Sequence, residues 1–303
     1  MHTFDVPIGG VTIGHHTDAT ARTGCTVVLF PDGAVASGEV RGGAPATREF
    51  ALLDPTRTVA RVDAVVLSGG SAFGLAACDG VMLWCAEHDR GFATAAGRVP
   101  IVVGMSLFDL LQGDSSVRPT SEDGYRAAAS AANAVAWGPV GAGTGATVGK
   151  WRGKEHQRPG GLGMAIVRRD ELVVVAVVAV NAVGDIDDGS VATAIADGSF
   201  VWPVPPEQFG EPAGEIGANT TIGVLMTNAM LDKTGCQLLA QSGHDGLARA
   251  LFPAHARSDG DALVAVSVPS SPDGAEPSTV GEALDVVRIL GTVAVERAVR
   301  SVA

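Results

Sequence analysis

The chain is poor in aromatic and basic residues. Aromatic side chains make up 5% of its 303 residues, so alanine, valine, leucine and glycine must fill the core. Lysine and arginine number 21 against 33 aspartate and glutamate residues, which gives a net charge of −12. Binding to nucleic acid requires a basic surface, and no cluster of lysine and arginine stands out. The sequence therefore predicts no nucleic-acid partner.

A long hydrophobic segment is also missing. The longest apolar run, residues 172–180, is far shorter than the roughly twenty residues that a membrane span needs. We therefore interpret it as a buried strand and expect no membrane partner. Residues 1–5 contain neither a basic region nor an apolar core, which argues against a signal peptide and favours a cytoplasmic location.

Cysteine is scarce and carries no metal-site pattern. The four cysteines show no C-x-x-C spacing, which in a chain of this length fits a reducing compartment. The histidines also lack the spacing of a metal site. Gly141-x-Gly143-x-x-Ala146 meets the loose dinucleotide pattern, but the run before it makes a poor strand and no clear helix follows it. We therefore predict neither a metal nor a cofactor.

What the chain does have is hydrophobic residues, 46% of the total, and 40 glycines. Strand-like and helix-like runs alternate, which predicts an α/β or α+β class. The predicted strands cover residues 26–29, 62–67, 99–103, 164–167, 172–180, 221–227 and 262–268. The predicted helices cover 71–86, a segment from a cap at Thr120 through 137, two short pieces within 234–252 split at 242–244, and a last helix with a capping box at 279–282. No shift in composition separates two domains, so we expect one domain.

One junction offers a candidate nucleophile. Residues 202–218, rich in proline and glycine, lead into Asn219-Thr220 and then into the predicted strand 221–227. If the peptide bond between Asn219 and Thr220 breaks, Thr220 gains a free α-amine beside its own hydroxyl. The reference pKa of an α-amine is about 7.7–8.0, so one residue would carry both a nucleophile and a general base.

Polar side chains stand near three other predicted strands or turns. Asp259-Gly260-Asp261 precedes a strand, and its carboxylates could hold and orient the α-amine; Asp-Gly is also common in plain turns. Asn181 ends the longest apolar run, where its amide could stabilise an oxyanion or close a turn. Lys150 follows a glycine-rich segment and is either a site residue or an ordinary solvated lysine.

Three weaker candidates concern a substrate pocket. Gly70 and Ser71 lie in a glycine turn before a predicted helix and could face a ligand. This turn is not a nucleophile elbow, because Phe73 stands where that motif requires glycine. Tyr125, the sole tyrosine, lies early in a predicted helix and is either buried structure or a pocket hydroxyl.

These motifs, taken in order, resemble the DmpA-like self-processing peptidases, a family that includes β-peptidyl aminopeptidases and nylon-oligomer hydrolases. The resemblance spans nearly the whole chain. The matching segments are residues 9–15, 68–75, 140–146, 180–182, 219–229, 244–250 and 259–261.

The resemblance implies a four-layer αββα sandwich of the kind shared with ornithine acetyltransferases. It implies cleavage between Asn219 and Thr220, with Thr220 as the nucleophile. Residues 1–303 would then form one interlocked domain made of two fragments, 1–219 and 220–303. It also suggests a homo-oligomer, such as a tetramer.

The resemblance further implies roles for single residues. Asn181 would stabilise the oxyanion, and Asp259 and Asp261 would organise the nucleophile. Lys150 matches a lysine near the nucleophile in the nylon-oligomer branch, and Tyr125 matches a pocket tyrosine. The Asp-x-Asp pair replaces the Ser-x-Glu pair of the β-peptidyl aminopeptidases, so the chain is most similar to the nylon-oligomer branch.

Three functions stay open at this point. The first is an amide hydrolase acting through an acyl-Thr220 ester on short peptides with a free amine or on 6-aminohexanoate-type oligomers. The second is an acyltransferase on the same scaffold, in which an amine replaces water. The third is an unprocessed assembly protein without catalysis. The intact mass of the purified protein separates the third function from the other two.

Overall fold

The computed structural model describes residues 2–202, 219–269 and 280–303. Residues 203–218 of the segment rich in proline and glycine, and the capping box at 279–282, lie outside the residues whose side chains are described. Within the described ranges the α-helices are α1 (Ala77–Glu87), α2 (Ser121–Ala129), α3 (Ser190–Ala196), α4 (Lys233–Ala250) and α5 (Val280–Arg300). Short 3-10 turns cover Phe50–Leu53, Ser71–Ala76, Gly141–Gly143, Lys150–Arg152 and Lys154–His156. None of the described helices is both long and apolar enough to cross a bilayer.

Nine strands form one large mixed sheet. They are β1 (Thr12–Asp18), β2 (Thr23–Val40), β3 (Ala46–Arg48), β4 (Arg61–Ser68), β5 (Val102–Ser106), β6 (Gly161–Arg169), β7 (Leu172–Asn181), β8 (Thr220–Thr227) and β9 (Ala262–Ser267). The strand order is β6-β7-β8-β9-β2-β4-β5-β3, and β1 pairs with β2 beside this path. Four short two-stranded pairs lie apart from it: His2–Asp5 with Ala134–Trp137, Phe92–Thr94 with Gly97–Val99, Thr147–Val148 with Arg158–Pro159, and Asp185–Ile186 with Leu251–Phe252.

Strand β2 belongs to both halves of the sheet. It runs for 18 residues, and its register with β4 shifts between Leu29 and Ala34. The first half of β2 pairs with β1 and with most of β4, whereas its second half pairs with β9. A bulge of this kind bends a strand and increases its local twist. One long strand can therefore run from one sheet layer into the other.

The central core lies between these two layers. Alternate residues of β7 and β8, such as Val177 and Val224, pack against Val65 of β4 and Met105 of β5 in one buried cluster. Side chains two residues apart in a strand share a face, so this cluster takes every second residue of each strand. The other faces of β7 and β8 are buried as well. This explains why the sequence of β7 is a nearly continuous apolar run.

Helices cover the two outer faces. On one side Leu225 of β8 packs with Leu239 of α4 and with residues of α5, and on the other side Val66 of β4 packs with Val81 of α1 and with residues of α2. The order helix, sheet, sheet, helix is the predicted αββα sandwich, which is thereby confirmed. Strands β8 and β9 lie between β7 and β2, so residues after 219 are interleaved with residues before it.

Two predicted helices need correction. Helix α4 is continuous through residues 242–244, so the predicted split is wrong. Gly243 serves close packing there, since a Cβ atom on it would lie 2.8 Å from Leu263 Cδ1. The helix capped by Thr120 ends at Ala129 instead of continuing to residue 137, and Ala134–Trp137 forms a strand with His2–Asp5. The cap itself is confirmed, because the Thr120 hydroxyl accepts from the Asp123 N–H.

Candidate active site

The candidate nucleophile is buried in the middle of the sheet. Thr220 is the first residue of β8 and is only 4% exposed, and Asn219 before it is buried too. The Thr220 hydroxyl contacts the carbonyl oxygen of Asn219. Across the ladder, Thr220 is paired with Asn181, the last residue of β7. The antiparallel register thus places the two predicted strand-end residues directly opposite each other.

Hydrogen bonds hold both the oxygen and the nitrogen of the Asn181 side-chain amide. Its Oδ1 accepts from the backbone N–H of Thr147 at 3.0 Å and from Lys150 Nζ at 3.0 Å. Its Nδ2 donates to the carbonyl oxygen of Phe108 at 3.0 Å. Asn181 is fully buried, so these bonds fix the amide in one orientation. A fixed amide beside the candidate nucleophile is suited to stabilising developing negative charge.

Lys150 reaches the site from a short turn. Gly149 adopts φ +77°, and the 3-10 turn Lys150–Arg152 follows it. The backbone N–H groups of Gly149 and Trp151 donate to Gly184 at 2.8 Å and to Val183 at 3.1 Å, which ties the turn to the segment after β7. Lys150 Nζ therefore also reaches the backbone oxygen of Asn181, at 3.1 Å.

Burial changes the charge of Lys150. Removal from water lowers its pKa to about 7, while the nearby carboxylates of Asp259 and Asp261 act in the opposite direction. The amine therefore loses its proton more readily than the amine of a solvated lysine. Lys150 is half-buried and bonded to Asn181, and the chemical role of its amine stays a prediction.

The two aspartates lie just before β9 and are both 1% exposed. Asp261 Oδ1 accepts from the backbone N–H of Thr221 at 2.7 Å. Asp259 accepts from Val183 N–H at 3.3 Å and from Ala256 N–H at 3.0 Å. Burial, and then the charge of Asp261, raise the pKa of Asp259 well above its usual value. The pair can thus hold a proton at neutral pH.

Gly260 lies against the candidate nucleophile. A Cβ atom on Gly260 would lie 2.6 Å from Thr220 Oγ1 and 2.7 Å from the carbonyl oxygen of Ala44. Any side chain there would collide with the hydroxyl or with the backbone. Glycine between the two aspartates therefore allows the loop before β9 to pass directly over Thr220.

Gly70 and Ser71 are linked to the Asn181 amide only indirectly. Both have positive φ angles at the start of the turn that leads into α1. The Gly70 N–H donates to Asp109 Oδ1 at 2.7 Å, and Asp109 follows Phe108, the acceptor for Asn181. The turn is thus connected to the Asn181 amide through two consecutive residues. Its predicted role in a pocket stays a prediction.

The structure does not bring Tyr125 together with these residues. Tyr125 lies on α2 in an outer layer, and its hydroxyl donates to Glu87 Oε2 at 2.7 Å, at the end of α1. Its described contacts therefore point to a link between two surface helices. Within residues 2–202, 219–269 and 280–303, no group of three or more His, Cys, Asp or Glu side chains could hold a metal ion.

Sequence reasoning missed Thr147 and His255, which contact Asn181 and Asp261, and Asp109, which contacts the turn at Gly70. Asp109 is buried soon after β5, and its bonds to Gly70 and Thr23 join residues distant in sequence. Thr147 acts through its backbone N–H, so its side chain gives no signal. His255 contacts Asp261 from a turn, and only the fold brings the two side chains together.

Comparison with known proteins agrees with the fold. A solved structure of an L-aminopeptidase D-Ala-esterase/amidase from Ochrobactrum anthropi, described as a new variant among the Ntn hydrolase fold, superposes with a TM-score of 0.71 at 21% identity. The match covers 97% of this chain and 84% of that one. The class of fold is therefore that of the Ntn hydrolases.

The family follows from sequence similarity. The model of Peptidase family S58 matches residues 4–302, and the chain belongs to this family. An uncharacterised aminopeptidase of Mycobacterium leprae is 44% identical over 285 residues, covering 86% of this chain and 77% of that protein. A 6-aminohexanoate-oligomer endohydrolase of Paenarthrobacter ureafaciens is 31% identical over 283 residues, covering 88% of this chain and 75% of that protein.

Proposed function

We propose that the protein is a self-cleaving amide hydrolase with Thr220 as its nucleophile. The observation that carries this proposal is the contact of the Thr220 hydroxyl with the carbonyl oxygen of Asn219, inside a buried cluster of polar side chains. The hydroxyl thus lies beside the peptide group whose carbonyl carbon it would attack. The membership in Peptidase family S58 supports hydrolysis of amide bonds.

Self-cleavage would proceed in two steps, formation of an ester and its hydrolysis. The Thr220 oxygen bonds to the carbonyl carbon of Asn219, the C–N bond breaks, and the hydroxyl proton moves to the nitrogen of Thr220. Water then hydrolyses the resulting ester, which leaves a carboxylate on Asn219 and restores the Thr220 hydroxyl. Lys150, whose pKa burial lowers to about 7, could accept a proton during these steps.

The same atoms would serve in turnover. The freed α-amine takes the Thr220 hydroxyl proton while the oxygen attacks the substrate carbonyl. The amide of Asn181 stabilises the oxyanion, and Asp259 and Asp261 hold the amine in place. The leaving amine takes the proton, and water releases the acyl group from Thr220.

The proposed substrates are short peptides with a free amine or linear amide oligomers of ω-amino acids such as 6-aminohexanoate. The names of the two relatives support these two classes. The net charge of −12 also suits a substrate with a cationic end. We further propose that fragments 1–219 and 220–303 remain associated, because β8 and β9 lie inside the sheet. A homo-oligomer is part of the same proposal.

The test is the intact mass of the purified protein, together with an assay on both substrate classes. We expect two fragments that begin at residues 1 and 220, and release of amine from alanine 4-nitroanilide or from 6-aminohexanoate trimer. An acceptor amine added to the assay shows whether acyl transfer replaces hydrolysis. A chain that keeps its full mass after long incubation would contradict self-cleavage.

Gly260→Ala is expected to slow self-cleavage by about 10²-fold, since a displacement of about 1 Å at the reacting atoms has effects of this size. The added methyl group would lie 2.6 Å from Thr220 Oγ1. The measurement is the fraction of cleaved chain against time on a denaturing gel. Gly9→Ala is the control, because a Cβ atom there has no neighbour within 4 Å. Equal rates for the two variants would refute the steric argument.

A further inference from the structure

His255 is joined to the buried carboxylate of Asp261 by two contacts. Its ring Nδ1 lies 2.8 Å from Asp261 Oδ2, and its backbone N–H donates to the same oxygen at 3.2 Å. A carboxylate oxygen only accepts, so Nδ1 carries the proton in this contact. The other oxygen of Asp261 accepts from the N–H of Thr221. One carboxylate therefore connects His255 to the residue that follows the proposed nucleophile.

The backbone at His255 is unusual. Its φ is +56°, a region that histidine adopts rarely and that the surrounding structure must stabilise. The side chain is 17% exposed, so solvent can still reach the ring. The next residue, Ala256, donates its N–H to Asp259 Oδ2 at 3.0 Å. One turn thus contacts both aspartates of the proposed site.

Other charged groups around this turn are already paired or neutral. The ring of His244 packs edge-on against His255 at 4.9 Å, and burial lowers the pKa of His244 to about 4, so it is neutral near pH 7. The second ring nitrogen of His255 faces the carbonyl oxygen of His244 at 3.4 Å. Arg41 lies nearby, but its guanidinium group bonds to Glu39 at 2.9 Å and to Asp245 at 3.2 Å.

We propose, on the basis of the proposed function, that His255 is a positioning residue whose Nδ1–H holds Oδ2 of Asp261 and so orients this carboxylate beside Thr220. Unpaired carboxylates stabilise the protonated form of a nearby amine. A protonated α-amine cannot accept the hydroxyl proton, so it would be inactive. Because Oδ2 of Asp261 already accepts from His255, it is not free to accept from the α-amine of Thr220, which therefore stays neutral and active at lower pH. Asp259 and Lys150 are the other titratable groups of the proposed site, and the variants of His255 leave both of them unchanged.

The test compares pH profiles of kcat/KM for wild type, His255→Asn and His255→Ala on alanine 4-nitroanilide and 6-aminohexanoate trimer. Asparagine tolerates positive φ well and places an N–H donor near the position of Nδ1. For His255→Asn we therefore expect a profile close to wild type, with a plateau within about threefold. For His255→Ala we expect the acidic limb to move up by about one pH unit and the plateau to fall, because Oδ2 of Asp261 loses its donor and its orientation.

His16→Asn is the matched control. It removes another histidine–aspartate pair, in which His16 Nε2 lies 3.3 Å from Asp123 Oδ1 in an outer layer, and its profile should follow wild type. Limbs that coincide for all variants, or a lower plateau with unmoved limbs, would overturn the role of His255 while the proposed function stands. A wild-type chain that neither cleaves itself nor releases amine from either substrate would instead refute the proposed function, and this inference with it.

Discussion

Replacing Thr220 by alanine is expected to leave a single chain of 30.6 kDa and to lower amide hydrolysis by more than about 10³-fold. The alanine has no hydroxyl to attack the carbonyl carbon of Asn219, so no ester forms and no α-amine is freed. Both functions of the residue are lost together, and neither is replaced by a neighbour. Intact mass and a denaturing gel measure the first effect, and the two substrate assays measure the second.

Thr221→Ala is the matched control for this variant. It makes the same chemical change one residue later, and Thr221 Oγ1 is a buried atom with no hydrogen-bond partner in the described part of the chain. Its backbone N–H still donates to Asp261, so cleavage and hydrolysis should persist. Thr220→Ser, which keeps a hydroxyl, should also be cleaved. Normal processing of Thr220→Ala would show that the nucleophile is another residue.

The layers of the fold could be predicted from local patterns and from the family resemblance. The apolar run of β7 and the run that begins beside Thr220 both form buried strands, because a strand covered on both faces needs little polar sequence. The prediction of a break inside α4 was wrong because it relied on a glycine that serves tertiary packing. Gly243 is there to let the helix approach Leu263 closely, and a close contact of this kind involves residues distant in sequence.

Some residues of the candidate site could be predicted from the sequence, whereas their contacts could not. Asn181 and Thr220 could be identified because polar residues at the ends of apolar runs are conspicuous in a sequence. Their pairing depends on the register of β7 and β8, which the order of residues alone does not give. Asp109 and His255 were missed since their contacts to Gly70 and Asp261 are tertiary. Tyr125 was predicted from the family resemblance as a pocket residue, but its described contact is with Glu87.

Replacing Lys150 by methionine is expected to lower kcat by about 10²–10³-fold without unfolding the protein. Lys150 Nζ contacts both oxygens of Asn181, so its loss removes a contact that orients the amide and a positive charge from the proposed oxyanion site. Methionine has nearly the same length and fills the same partly buried space. The measurement is kcat for each substrate, with the fraction of cleaved chain recorded separately.

The same substitution should stabilise the uncleaved chain, and the effect should depend on pH. Burial lowers the pKa of Lys150 to about 7, whereas an unfolded lysine titrates near about 10.4. Between these values the unfolded chain binds one more proton than the folded chain, so Lys150 lowers the free energy of unfolding as pH falls. The full cost is reached below about pH 7, and each pH unit of the interval contributes about 1.4 kcal/mol at most.

The experiment compares Lys150→Met with its parent by urea unfolding from pH 6 to pH 10, both in the Thr220→Ala background, where the chain is expected to stay intact. The stability advantage of the methionine variant should grow as pH falls from 10 to about 7 and then level off. Lys233→Met is the control, because Lys233 Nζ donates to the carbonyl oxygens of Leu52, Arg57 and Val59. It should lower stability and, in the cleaved enzyme, leave kcat unchanged. A Lys150→Met enzyme with wild-type kcat would mean that the amine does not support Asn181. A stability advantage that is the same at every pH would mean that the amine does not lose its proton on folding.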